Sequence, residues 1–406
     1  MAAPRRFANI LRTGIFPPLK RQWLGPAIVA LGLAVTTAIV AMAVMASGLI
    51  AFPASREDPV GLAGFVHESF RASARRHSRD IAVPADLDTP WRVQLGAAQF
   101  ARSCAACHGE PGRGQSPLAL SMRPRPQYLP AVLGAFDARS LFWIVRNGAK
   151  FTAMPAWPQR DRGDEVWSMV AFLRQMPRMD AARYAGLASG VEAGTAIVAA
   201  NPRTPYAVLD ANEGPREEFS YTVPAAAFRS GAGDCTACHG EDGAGRADGM
   251  APNLTLQSPT YLAEALGSFA SGARPSAIMQ QVAVSLTPQD IERLAARYGD
   301  RRIARPGGKA AGDALGARIA SEGVPARGVA ACSSCHGIEG ASPASFPRLA
   351  GQNPIFLAQQ MQLFDAGVRG KTVGYDPMAA ITHRLTPAER AAVVRHYASL
   401  PAGARD

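Results

Sequence analysis

The chain has 406 residues, with 43 Lys and Arg against 32 Asp and Glu, giving a net charge of +11. That length predicts roughly two to four domains. The positive excess is spread thinly, much of it as arginine, with no Lys/Arg block, so no nucleic-acid partner is expected and a solvated surface accounts for the charge.

Residues 1–23 carry five of the basic side chains, Arg5, Arg6, Arg12, Lys20 and Arg21. By the positive-inside rule this is a cytoplasmic segment. Residues 24–52, Leu24 to Phe52, contain no charged residue. As a helix the run would be about 43 Å long, enough to cross a bilayer core of about 30 Å with tilt. Trp23 stands where an interfacial aromatic would anchor it. The alternative is a cleaved signal peptide, for which Ala-Met-Ala at 41–43 and the small residues near Ser47 leave room. Signal peptides usually have an apolar region of about 7–15 residues, so a retained single-pass transmembrane anchor is preferred. Everything after residue 53 is then exported to the periplasmic side of the inner membrane.

Residues 53–90 read as a polar, basic connector with a short helix from Leu62 to His77 lying near the membrane surface. His67 and His77 are read there as solvated. The next stretch, residues 91–177, opens with a helix whose Gly96 and Phe100 share one face. Small Gly96 would admit a later helix, and Phe100 would fill the gap.

That helix leads into Cys104-Ala105-Ala106-Cys107-His108, a pattern the chain repeats twice, as Cys235-Thr236-Ala237-Cys238-His239 and Cys332-Ser333-Ser334-Cys335-His336. In Cys-x-x-Cys-His the two thiols add across the vinyl groups of a haem and the histidine ligates its iron. One helical turn separates the cysteines, so both reach one porphyrin edge and the next residue turns its imidazole under the metal. The copies use all six cysteines and three of the seven histidines. A zinc site would need two Cys-x-x-Cys pairs in one small unit, and these pairs lie roughly a hundred residues apart. A thiol redox motif does not require a histidine at one fixed position three times over. The expected cofactors are three covalently bound haem c groups on His108, His239 and His336. Leaving no spare cysteine also fits an oxidising compartment.

In the first unit, Pro124 or Pro126 is expected to offer a backbone carbonyl to the His108 Nδ1–H. A helix from Ser140 to Asn147 stops at Gly148, the chain passes Met154-Pro155-Ala156-Trp157, and a helix from Asp164 to Gln175 ends before Pro177. This order (helix, Cys-x-x-Cys-His, proline loop, helix, Met-Pro, aromatic terminal helix) resembles a class I c-type cytochrome. The resemblance implies a methionine as the sixth iron ligand, mapping onto Met154.

Residues 178–220 are read as a linker. The second unit, 221–305, has a short helix from Ala225 to Ser230, Pro252 as carbonyl donor and a terminal helix capped by Thr287 with Pro288 at its first position. Met279 stands where the resemblance puts the sixth ligand, and Met250 is the alternative. The third unit, 311–402, repeats the plan with a leading helix from Ala311 to Ser321, Pro347 as carbonyl donor, a helix from Pro354 to Gly367, Met378 as ligand candidate and Met361 as core. His383 competes with Met378. The box Thr386-Pro387-Ala388-Glu389 opens the last helix. Units two and three share a Gly-rich turn, Gly-x-Arg, Met and a Thr-Pro cap, and resemble the diheme two-domain class I cytochromes. That resemblance places Arg274 and Arg369 near the haem propionates.

The expected fold is mainly α: three small class I cytochrome c domains after one N-terminal transmembrane helix. The expected function is single-electron relay between a redox protein donor, such as a membrane-associated dehydrogenase, and an acceptor such as a terminal oxidase, in complex with either. Two ligands per iron leave no open position, so no catalytic residue is expected. The alternatives are a peroxidase-type haem enzyme with one open haem, and a subunit of a terminal oxidase complex.

Overall fold

The computed structural model describes residues 24–50, 61–189, 233–247, 249–304, 312–336, 344–370 and 377–402. The basic segment 1–23, most of the interval read as a linker and the helix expected over Ala225 to Ser230 lie outside the described residues. The described residues form helices and turns and contain no strand. The chain divides into two compact units, 1–56 and 57–406.

The described part of the first unit is one helix, α1 (Leu24–Ala46), rich in Ala, Val, Leu, Ile and Met, with no acidic or basic residue in its end turns. Residues Ile28–Ala46 have a mean hydropathy of 2.5 and their side chains lie on the outside of the helix with none buried. Nineteen residues of helix span about 28 Å, so α1 is long and apolar enough to cross a membrane.

The second unit opens with α2 (Leu62–His77), the span expected from sequence. Around the first motif stand α3 (Pro90–Ser103), α4 (Ala105–His108), α5 (Pro117–Ser121), α6 (Leu129–Val132), α7 (Ala138–Asn147), α8 (Gly163–Gln175) and α9 (Ala181–Ser189). The second group is α10 (Gly233–His239), α11 (Pro259–Ala270), α12 (Ala277–Ala283) and α13 (Pro288–Tyr298). The third is α14 (Ala314–Glu322), α15 (Ser333–His336), α16 (Pro354–Asp365), α17 (Pro377–Arg384) and α18 (Pro387–Ser399).

Two glycines set the first and third groups. A Cβ on Gly96 of α3 would lie 2.1 Å from the Ser168 carbonyl oxygen of α8. A Cβ on Gly316 of α14 would lie 2.1 Å from the Ala392 carbonyl oxygen of α18. Only glycine permits such backbone approach. Beside the first crossing Phe100 and Phe172 are fully buried with ring centroids 5.2 Å apart, and Trp167 stacks on Phe142 at 4.4 Å. Each such ring contributes about 1.5–3 kcal/mol by leaving water, so these aromatics dominate the first core.

The third core holds Ile319, Leu357, Val393, Val394 and Tyr397, with Met361 packed against it, as expected. Among the described residues the second core is sparse: Leu262, Ala295 and Tyr298 are its buried members. A group that small cannot supply a self-sufficient apolar interior.

The terminal helices begin as their sequences require. Thr287 and Thr386 each accept from the backbone N–H three residues on, while Asp290 and Glu389 accept from the cap residue's own N–H. These are complete capping boxes, each worth on the order of 1 kcal/mol.

The three groups are tied together by polar side chains. The Gln94 side chain of α3 donates to the Ala237 carbonyl (3.0 Å), inside the second motif. Asn253 and Gln352 exchange bonds at 2.8 and 3.0 Å, and Gln257 and Arg348 do the same at 2.9 Å each way. Gln359 of the third group donates to Asp164 of the first.

His67 and His77 were expected to be solvated. His77 remains exposed but stacks on Trp143 of α7 at 5.7 Å and bonds the Ser73 carbonyl. His67 is half-buried, with its ring against the Gln127 side-chain amide. Helix α2 therefore packs on the first group through its histidines, which the polar sequence of the segment did not suggest.

Candidate haem sites

Each Cys-x-x-Cys-His motif closes on a short helix, α4, α10 or α15, whose last residue is the histidine. In all three the imidazole is fixed from behind. His108 Nδ1 lies 2.8 Å from the Gln127 carbonyl, His239 Nδ1 is 2.9 Å from Pro252, and His336 Nδ1 is 2.8 Å from Pro347. A carbonyl accepts only, so Nδ1 carries the proton and Nε2 keeps its lone pair for a metal. Burial holds all three imidazoles below their ordinary pKa. They are therefore neutral at pH 7, the form that ligates.

Pro252 and Pro347 act as the sequence suggests. At the first site the acceptor is Gln127, one residue beyond Pro126. The Pro126 carbonyl instead takes the Gln115 side-chain N–H at 2.7 Å, and the same amide reaches the Cys107 carbonyl at 2.8 Å. The loop is thus stitched to the motif one residue out of register with the expectation. Gln115 carried no sequence signal beyond being a polar residue eight positions after Cys107.

Glycine follows the histidine for steric reasons. Gly109 has φ 69°, and a Cβ there would lie 2.5 Å from the Tyr128 ring; Gly240 has φ 76°, with the Gly245 carbonyl 2.7 Å from its would-be Cβ. Gly148, at the end of α7 with φ 66°, lets the Met154-Pro155 backbone come within 2.6 Å of where its Cβ would be. The Ala149 N–H then donates to the Met154 carbonyl at 3.1 Å and Trp157 N–H to Arg146 at 3.0 Å. The Met154 loop is pinned on both sides.

Around the second and third motifs lies one cavity of about 630 Å³. Cys235, Cys238 and His239 line it together with Cys332, Cys335 and His336. Met250, Met279, Met361 and Met378 also face it. Met250 is almost fully buried, next to the loop that holds His239, and Met279 sits on α12. His383 is 82% exposed and lies 3.6 Å from Asp365, on the solvent side.

Arg274 and Arg369 both enter this cavity and both donate to the Gln360 side-chain oxygen, Arg274 at 3.1 Å. Arg274 also reaches the Tyr261 hydroxyl at 3.3 Å. Burial pushes the Tyr261 phenol up, but the two guanidiniums more than reverse this, and its pKa falls below the ordinary value. Gln360 and Tyr261 were not singled out from sequence, because nothing local marks an amide or phenol that will meet an arginine pair.

The residues present fit a haem at these positions. The cavity is mostly apolar, the histidines present a free Nε2, and two guanidiniums converge in it, supplying the charge that a porphyrin's carboxylates would need. Other chemistries fit less well. Burial pushes the Cys104 thiol up to about 12 and raises that of Cys238, the opposite of what a thiolate redox motif needs. Among the described residues no cluster of three His, Cys, Asp or Glu side chains could hold a metal ion.

Residues 92–173 match the family described as cytochrome c oxidase, cbb3-type, subunit III. The chain is 34% identical over 170 residues to the thiosulfate dehydrogenase electron acceptor of Stutzerimonas stutzeri, covering 41% of this chain and 78% of that protein. It is 32% identical over 184 residues to cytochrome c4 of Pseudomonas aeruginosa, covering 43% and 88%. Among solved structures it is similar to cytochrome c4 of Acidithiobacillus ferrooxidans, at 30% identity and a TM-score of 0.36 over 41% of this chain and 98% of that one. The chain belongs to the class I c-type cytochromes and, among them, is similar to the diheme cytochromes c.

Proposed function

We propose that this electron-transfer cytochrome is a membrane-anchored, exported triheme relay, with one haem c on each motif. The observation that carries the reading is the threefold recurrence of a Cys-x-x-Cys-His turn whose imidazole Nδ1 is held by a backbone carbonyl. When bound, haem supplies an iron that exchanges one electron at a time. The protein holds each imidazole neutral and aimed and presents Met154, Met279 and Met378 as sixth ligands. Arg274 and Arg369 would hold the carboxylates at the shared cavity. A histidine and a methionine held for each iron would leave no position for a substrate.

Helix α1 supports an anchor, with the motifs on the periplasmic side. Tethering would raise the effective concentration of the relay at partners in the same membrane. For the donor we propose a membrane-associated dehydrogenase, a reading supported by the relative named as an electron acceptor of thiosulfate dehydrogenase. A terminal oxidase is the proposed acceptor. The match of residues 92–173 to an oxidase subunit family favours a second reading, in which the chain is a permanent subunit of such a complex. Co-purification in mild detergent separates the two, since a permanent subunit brings the oxidase with it in fixed proportion. Carbon monoxide tests the relay itself. The reduced protein should show no spectral shift at any haem, and stoichiometric binding at one haem would replace the relay with a peroxidase-type site.

A further inference from the structure

Helix α12 has two faces with different owners. Ser276, Ile278, Met279 and Val282 line the cavity that holds His239, as do Arg162 and Glu165 of the first group. Ser276, Ala277, Gln280 and Gln281 are held by the first group. Ala277, 3% exposed, is counted among the side chains of the first group's own core, with Val166, Trp157 and Phe172. Gln281 accepts from Gln99 at 2.9 Å and from Ser103 at 2.7 Å, and Gln280 accepts from Gln159.

The start of α12 is bound by one buried carboxylate of α8. Glu165 is 2% exposed and lies among four donors. Its Oε1 accepts from Ser276 Oγ at 2.6 Å and pairs with Arg162 at 2.9 Å. Its Oε2 accepts from the Ala277 N–H at 2.9 Å, with Trp157 Nε1 further off at 3.4 Å. Arg162 in turn donates to the Pro275 carbonyl at 2.6 Å, gripping the strand of chain just before the helix.

The orientation of Ser276 matters most. Because its hydroxyl hydrogen is committed to Glu165, its lone pair is left facing the Met279 N–H, which it accepts at 3.1 Å. A polar chain therefore runs Glu165, Ser276, Met279. Trp157, three residues after Met154, touches the same carboxylate.

We propose that Glu165 is a positioning residue for the second haem, fixing α12 so that Met279 is presented to the iron only while the first group is docked. The inference rests on Met279 being the sixth ligand. It makes the first group a structural part of the second haem's site as well as a carrier in its own right. Without Glu165, the Ser276 hydroxyl turns freely and the first N–H of α12 loses its acceptor inside a buried interface, a loss that a helix start tolerates poorly.

The test uses the full chain in detergent, with three haems per chain verified for every variant. Met279→Ala sets the scale, and it should remove about one third of the near-infrared Met–Fe(III) absorbance. If Met279→Ala leaves that absorbance whole, the ligand assignment has failed and the positioning role falls with it. If it removes the third, Glu165→Leu should remove a similar share, lower the potential of one haem and allow carbon monoxide to bind one haem per reduced chain. Glu165→Gln, which keeps an acceptor for one of the two partners, should recover most of the absorbance. Should Glu165→Leu not fold, Ser276→Ala removes one hydroxyl and should still open one haem to carbon monoxide. Full absorbance and no carbon monoxide binding in the variants that fold, with Met279→Ala showing its loss, overturns the proposal.

Discussion

Arg274 and Arg369, from segments 95 residues apart in sequence, donate to the same side-chain oxygen of Gln360. Two like charges brought together on one neutral amide repel each other, a cost that an anion lying opposite would offset. Replacing either arginine with glutamine should lower the potential of the nearer haem, because a lost positive charge favours the ferric state. A drop on the order of 60 mV corresponds to about 1.4 kcal/mol for one electron. Spectroelectrochemical titration measures it, and the shift should persist at high salt because the pair faces a mostly apolar cavity. An unchanged potential in both variants would remove the arginines from the site.

Gly96→Ala and Gly316→Ala force a methyl group against a carbonyl oxygen at helix crossings that leave no room for it. Each should cost about 1–3 kcal/mol. Gly267→Ala is the control: it sits within α11 with nothing inside 4 Å of the added carbon, and should stabilise by up to about 1 kcal/mol. Thermal melts followed by circular dichroism should rank Gly267→Ala above the parent and the other two below it.

The methionines separate by spectroscopy. Met154→Ala and Met378→Ala should each remove about one third of the Met–Fe(III) near-infrared absorbance and lower one potential. Loss of that absorbance in Met250→Ala, with Met279→Ala unaffected, would transfer the second ligand to Met250.

Acid should loosen the third group through Glu389. Its bond from Arg327, and then that from the Thr386 N–H, hold the carboxyl well below its ordinary value of 4.5, at about 2. A depressed acid stabilises the folded state fully above the unfolded value, and that stabilisation is lost as pH falls from 4.5 towards 2. Glu389→Gln should be less stable at neutral pH and flatter across this window. Denaturant midpoints at pH 7, 4 and 2.5 compare the two slopes, and parallel slopes would exclude the effect.

Much of this fold was legible because its signals are local. Thr287 with Asp290 and Thr386 with Glu389 announce helix starts over four residues, and Gly96 with Phe100 announces a crossing within one turn. Cys104 to His108 names its chemistry in five. The unread parts depend on partners distant in sequence. The sequence pointed to Pro124 or Pro126 and missed Gln127, because which carbonyl reaches His108 depends on how Gln115 holds the loop. Glu165 was not singled out, because in sequence it is one acid in a helix's first turn, where the macrodipole favours one. Its partners, Ser276 and Ala277, lie more than a hundred residues on, and no periodicity in α8 points to them.

The single cavity behind His239 and His336 has a consequence for titration. Charge gained at one end is felt at the other across side chains that screen poorly. Oxidising the parent stepwise would then separate two midpoints, because the positive charge gained at one motif raises the potential of the other. A substitution at Met378 would lower one of these midpoints and so change their separation, while the first motif, enclosed by its own aromatic core, would keep its own.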